Sequence, residues 1–140
     1  MAEQSSCQIN DAISIRTFLG AIDFDHSRSF YRDFGFEETI LSESMSYFAL
    51  GQLGFYLQRY YVRDWVDNSM VFLEVEDLAS YHRLVMAKQL TESYPTVRIS
   101  EIHERDWGGE FFVHDPAGVL WHIGSFSHRS ATPGGVEPRP

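Results

Sequence analysis

One cysteine, Cys7, stands in 140 residues, so no disulfide can form within the chain. That excludes a disulfide-stapled scaffold and every thiolate-cluster zinc site, and it suits a reducing cytosol with Cys7 an incidental thiol. Long apolar runs are missing too, so no segment approaches a membrane span. The opening MAEQSSCQIND lacks the charged-then-apolar layout of a leader peptide. The expectation is a cytoplasmic protein with no membrane partner. Basic residues are scarce: 11 Lys and Arg face 20 Asp and Glu, for a net charge of −9. A nucleic-acid partner is therefore not expected, since phosphate binding needs a basic surface. An acidic cleft would attract cationic small molecules, although acidity for solubility alone is the commoner case. No glycine-rich phosphate loop follows a strand, and no Gly-x-Ser-x-Gly elbow occurs.

What is present is an apolar content of 44% with 15% aromatics, ample for one domain with a real core. The most informative feature is a repeat. Phe18-Leu19-Gly20-Ala21-Ile22-Asp23-Phe24 returns as Phe72-Leu73-Glu74-Val75-Glu76-Asp77-Leu78. At the same offset Phe30 returns as Leu84. Each copy reads as an alternating strand, an acidic residue and an amphipathic helix, which points to a duplicated fold with a pseudo-two-fold axis. Equivalent positions would then face each other across a cleft.

Alternation over Ile13, Ile15, Thr17 and Leu19 predicts the first strand. Asp23 or Asp25 caps the next helix, whose apolar face is Phe30, Tyr31 and Phe34 and whose stop is Gly35. Strands follow at 36–41, 45–50 and 53–60, with a hairpin break at Gly51-Gln52. The aromatic, charged loop 60–68 joins the copies, either as a lid or as a dimer contact. The second copy predicts a strand at 70–76, a helix at 78–90 capped by Asp77, and strands at 97–102, 110–114 and 119–125. Asp115-Pro116-Ala117-Gly118 is the turn before the last strand. Residues 1–10 are expected to be flexible and 127–140 disordered. Between them lies a single α+β domain, 11–126, of two βαβββ repeats at about 11–60 and 69–126. In the strand at 70–76, Val71, Leu73 and Val75 should pack on helices. Met70, Phe72, Glu74 and Glu76 then form the other face, a candidate cleft wall.

Three stretches carry a family resemblance. They are Asp23-Phe24-Asp25-His26-Ser27-Arg28-Ser29-Phe30-Tyr31 with Phe34-Gly35-Phe36, Val75-Glu76-Asp77-Leu78, and Trp107-Gly108 with Asp115-Pro116-Ala117-Gly118. In this order they resemble the glyoxalase/bleomycin-resistance/extradiol-dioxygenase superfamily, also called vicinal oxygen chelate, over about 13–125. Phe34 replaces the usual Leu. The resemblance implies two βαβββ modules forming a curved mixed sheet around a cleft. It also implies a homodimer, with clefts that in many members take strands from both chains.

Metal-dependent members hold a divalent ion at four strand positions. These fall on Arg16, Met70, Tyr56 (or Gln58 in another hairpin register) and His122. Arginine cannot ligate a cation, methionine prefers soft ions and neutral tyrosine is a poor donor. Only His122 is an ordinary ligand, and a catalytic site needs about three. The reading is therefore no metal and no cofactor. A set using His114, His103 or Glu74 stays open. Without metal the cleft becomes an organic pocket walled by Arg16, Tyr56, Gln58, Met70, Phe72, Trp107, Phe112 and His122. Arg16 could bind an anionic group or sit in a structural ion pair; Trp107 could cover the cleft mouth or simply pack. Three functions compete: a small-molecule binding protein of the bleomycin-resistance type taking an aromatic, cationic ligand; a metal-dependent lyase, isomerase or dioxygenase with an atypical site; and a dimeric module with a vestigial pocket.

Overall fold

The computed structural model of the chain describes residues 6–127. The expected disorder of the tail beyond Ser127 and the flexibility of residues 1–5 lie outside the described residues. The first module runs β1 (Phe18–Gly20), α1 (Phe24–Phe34), β2 (Glu37–Ser42), β3 (Met45–Leu50) and β4 (Leu53–Gln58). A short helix α2 (Arg63–Asp67) lies in the linking loop. The second module runs β5 (Met70–Glu74), α3 (Leu78–Ala87), α4 (Leu90–Ser93), β6 (Arg98–Ile99), β7 (His103–Arg105), β8 (Gly108–His114) and β9 (Leu120–Phe126). There are two mixed sheets, ordered β1-β4-β3-β2 and β5-β9-β8-β6, with β7 also paired to β8. The α+β, twice-βαβββ architecture is as expected.

The duplication extends to detail. Asp23 and Asp77 both cap their helices, accepting from the backbone N–H of His26 and of Ser80 at 3.0 Å. Such a cap satisfies one of the orphan amides of the first turn. Gly35, at φ 129°, closes α1 as a side chain with a Cβ would not. In each module the first strand runs parallel to the last, and the register matches: Phe18 lies opposite Tyr56, and its repeat mate Phe72 opposite His122. Tyr56, not Gln58, is thus the counterpart of His122.

Three elements depart from the sequence expectation. The first strand does not start at Ile13. Its ladder begins where the Thr17 carbonyl accepts from Tyr56 N–H at 3.0 Å. The same register would set Ile15 beside Leu53, where β4 starts, so the partner strand runs out. Ile13 and Ile15 are left 96% and 97% exposed. The helix expected through Leu90 breaks at Gln89, which adopts φ 53°, and Leu90 begins α4 with its side chain buried. The strand expected at 97–102 shrinks to β6, and β7, beyond its expected end, is a strand that the sequence reading did not foresee. Across the gap Ser100 donates its N–H to the Phe112 carbonyl and accepts the Phe112 N–H on Oγ.

The modules meet in an aromatic core of Tyr31, Phe36, Phe48, Phe55 and Trp121. Leu73 is buried and Val71 and Val75 pack against the core cluster, where helix packing was expected, while Met70 and Phe72 face outward as expected. Polar groups cross the seam in two places: the Tyr94 hydroxyl of the second module donates to Asp33 of α1 at 2.5 Å and lies 2.8 Å from Ser29 Oγ, and a buried phenol of the same helix reaches the last turn. Tyr31 of α1 donates its hydroxyl to Asp115 at 2.6 Å and accepts from the Trp121 indole N–H at 2.9 Å. The other Asp115 oxygen accepts the N–H groups of Ala117, Gly118 and Val119. Burial raises the Asp115 carboxyl above its ordinary range against the pull of those bonds, and burial raises the Tyr31 phenol well above its own. No helix among the described residues is long and apolar enough to cross a membrane.

Candidate functional site

The matched registers build two side-chain trios, one per module. In the first, Phe18 stacks on Tyr56 across the parallel strands, with ring centroids 4.7 Å apart and planes 19° apart. Two residues upstream of Phe18, Arg16 reaches the polar tip of that ring and donates Nη1–H to the Tyr56 hydroxyl at 3.0 Å. In the second, Phe72 stacks on His122 at 6.4 Å and 17°. Two residues upstream of Phe72, Met70 Sδ lies 3.4 Å from His122 Nε2. The alternation of side chains along a strand puts each upstream residue on the face of its Phe. The same backbone geometry thus displays a cation above a phenol in one module and a thioether beside an imidazole in the other.

Each trio has neighbours that the sequence reading did not single out. Tyr47 of β3 lies under the Arg16 guanidinium, whose carbon is 4.4 Å from the ring centroid. Tyr47 in turn lies over Gly54, where a Cβ would run into its ring. In the second module Glu110 of β8 is 7% exposed, with Oε1 3.1 Å from His122 Nδ1 and Oε2 accepting from Arg105 Nε at 2.9 Å. Glu110 orients the imidazole and Arg105 neutralises the buried carboxylate. The Asp-Pro-Ala-Gly turn would have revealed Glu110. It fixes the hairpin that pairs Phe112 with His122, which puts Glu110 one pleat away.

Of the expected pocket residues, Met70, Phe72, Trp107, Phe112 and His122 form one aromatic cluster. Phe112 meets His122 edge-on at 5.1 Å, and Trp107 lies 6.1 Å from Phe72 with Phe126 beside both. Arg16 and Tyr56 belong to the other cluster. Gln58 lies farther along the face of Tyr56, opposite Met45, with no side-chain hydrogen bond among the described residues. No hydrogen bond, ion pair or ring contact among the described residues joins the two clusters. Arg16 and Phe72 do share the rim of a cavity of about 790 Å³ between the segment 13–17 that precedes β1 and the edge strand β5, floored by Phe36, Phe55, Leu73 and Trp121. Glu74 and Glu76 also border it. In the linking loop Val66 is buried while Tyr60 and Trp65 are exposed against each other.

The donors do not suit a divalent ion. Arg16 repels one, Tyr56 accepts from Arg16, and Met70 offers a soft thioether. Among the described residues no group of three His, Cys, Asp or Glu side chains gathers closely enough to hold a metal. His114, an alternative ligand by sequence, is shifted below the usual imidazole range by burial, with Arg98 and His122 adding to it.

No protein-family model matches the chain, and no curated protein matches it by sequence. Solved structures do match it in three dimensions. A bleomycin-binding protein from bleomycin-producing Streptomyces verticillus, complexed with copper(II)-bleomycin, superposes with a TM-score of 0.69 at 23% identity, covering 81% of this chain and 96% of that one. A bleomycin resistance determinant encoded on the transposon Tn5 gives 0.64 at 21% identity, covering 82% and 99%. A lactoylglutathione lyase from Agrobacterium tumefaciens gives 0.59 at 18%, covering 80% and 92%. At these identities the likeness establishes the fold.

Proposed function

We propose that this chain, which has the fold of the glyoxalase/bleomycin-resistance superfamily, is a metal-free small-molecule binding protein. It would sequester a planar aromatic ligand of the antibiotic type between the two trios. One observation carries this reading. Of the four positions where metal-dependent relatives place ligands, only His122 is an ordinary donor, while Arg16, Met70 and Tyr56 are not, and Tyr56 and His122 are each stacked on a phenylalanine. Flat aromatic walls with a few fixed polar groups suit an aromatic ligand. The cavity beside Arg16 and Phe72 lies within the usual range of ligand pockets, which weighs against a vestigial site.

The binding unit in this proposal is a homodimer. Phe18, Met70 and Phe72 are 53%, 65% and 45% exposed, and Ile13 and Ile15 are bare. So much large apolar surface in one neighbourhood is unusual for a monomer.

Titration with the neutral planar probe 2-naphthamide in the presence of a chelator tests the proposal. Saturable quenching of Trp107 fluorescence, equal with and without chelator, is expected. A stoichiometric bound divalent ion, together with turnover that a chelator abolishes, would overturn it. A second reading rests on the Glu110–His122 pair, which has the arrangement of a general base held by an orienting carboxylate. Under that reading the protein is a lyase, isomerase or dioxygenase, and His122→Ala would abolish turnover while leaving binding intact.

A further inference from the structure

We infer that the ligand carries a single anionic group, a carboxylate or sulfonate on its aromatic frame, and that Arg16 is the residue that selects it. The inference rests on the binding function proposed above and fixes one end of that site. It runs against the simple expectation from a net charge of −9, which favours a cation.

The case begins with what holds Arg16. Its guanidinium lies on the Tyr47 ring and donates one N–H to the Tyr56 hydroxyl. Tyr56 is itself stacked on Phe18, and Tyr47 is pressed onto the bare backbone at Gly54. Two rings and a glycine thus fix a side chain that would otherwise be free to sweep. A guanidinium has five N–H donors in a planar fork. One is used by Tyr56, leaving enough for a bidentate oxyanion. Four other arginines are taken up by carboxylates: Arg28 and Arg32 bind Glu38, Arg63 binds Asp67 and Arg105 binds Glu110. Arg59 and Arg83 donate instead to the Glu43 carbonyl and the Ser80 hydroxyl, and neither lines the cavity that Arg16 borders. No carboxylate among the described residues pairs with Arg16, although acids outnumber bases almost two to one. Arg16 also borders the cavity whose floor is apolar. An arginine stacked on an aromatic face beside an apolar hollow is suited to a flat ring bearing a carboxylate, because its fork matches the oxyanion geometry.

The cavity sets the charge as well as its sign. Glu74 and Glu76 line the same space from β5. They would repel a second negative group, so a monoanion is favoured over a dianion.

Calorimetric titration with 2-naphthoate and with its neutral partner 2-naphthamide tests this. The expected result is naphthoate binding tighter than naphthamide by about ten- to a hundredfold, the usual worth of a hydrogen bond to a charged group. Arg16→Gln should erase that preference, bringing the affinity for naphthoate down to that for naphthamide. Arg16→Lys should restore part of it, since the charge returns without the fork. Glu74→Gln should strengthen naphthoate binding severalfold. Equal binding of the two probes, or a preference that survives Arg16→Gln, would overturn the anion assignment and leave the aromatic-binding function standing. Failure of both probes to bind would overturn the two together.

Discussion

The two trios occupy equivalent places in their modules and could scarcely differ more in chemistry. Arg16, Phe18 and Tyr56 offer a fixed cation and a phenol; Met70, Phe72 and His122 offer a polarizable sulfur and an imidazole backed by Glu110. What they share is the part that faces the core or sets the ladder: Leu19 and Leu73, Phe24 and Leu78, Leu57 and Ile123 are all buried, and the cross-strand register is the same. Buried positions on a repeated backbone are constrained by volume, whereas outward positions are free to take on separate tasks. The duplication therefore fixes where the two trios sit and leaves the chemistry of each module free.

The comparison can be broken at its common foundation. Asp115→Ala removes the acceptor for Tyr31 and for three backbone amides at once. A loss of about 3–5 kcal/mol is expected, the scale for leaving such groups buried and unpaired. Urea denaturation followed at the two modules should show both transitions moving together; movement of one alone would refute a shared seam.

A smaller effect separates the modules. Glu38 joins Arg28, Arg32 and Ser46 on the first module alone. Burial pushes its carboxyl up, but the bonds from Arg28, Ser46 and Arg32 prevail and hold it below the ordinary range. With a depressed native pKa, its contribution is complete above the ordinary carboxylate pKa and fades as pH falls through the native value. Glu38→Gln should cost roughly 1–3 kcal/mol at neutral pH. The variant and the parent should then converge in acid; a constant gap down to low pH would contradict the shift.

Gly54→Ala sharpens the contrast between the trios. The register makes Leu120 the counterpart of Gly54, so only the first module needs an absent side chain there. An added methyl should displace Tyr47 and with it Arg16. Naphthoate affinity should fall about five- to tenfold, with stability changed by less than about 1 kcal/mol. Unchanged affinity would mean that Tyr47 does not position Arg16. The smallest expected effect is none at all: zinc or manganese added to saturation should leave the melting temperature within about 1 °C, since a ligand that does not bind the native state cannot stabilise it. A dose-dependent rise would reopen the second trio as a metal site.

Most of the fold was legible because alternation, capping aspartates and turn residues are local signals. The β3–β4 hairpin and both helix starts follow from them. The end of the first strand was not legible. Alternation at Ile13 and Ile15 tells which way side chains point in an extended segment, not whether a neighbour strand reaches that far. The gap between β6 and β7 was hidden for a similar reason, since a serine hydroxyl replaces a ladder partner there. At the candidate site, the family resemblance could place Arg16, Met70 and His122, and the repeat paired Arg16 with Met70. Tyr47 could not be placed, because it arrives from a third strand and owes its position to a space at Gly54. The division of the expected pocket into two clusters was equally hidden. Sequence places residues on faces, but which faces confront each other depends on how the sheets pack.

The Tyr31–Asp115 bond has a consequence for how the chain comes to be folded. It ties an early helix to the last turn, across most of the length of the polypeptide. A first module formed alone would bury a phenol with nowhere to donate, and a second formed alone would hold a carboxylate that only backbone amides satisfy. Neither half is then a comfortable resting place on the pathway. Closure of the longest loop comes before the reward, which favours slow and all-or-none assembly over stepwise docking of finished halves.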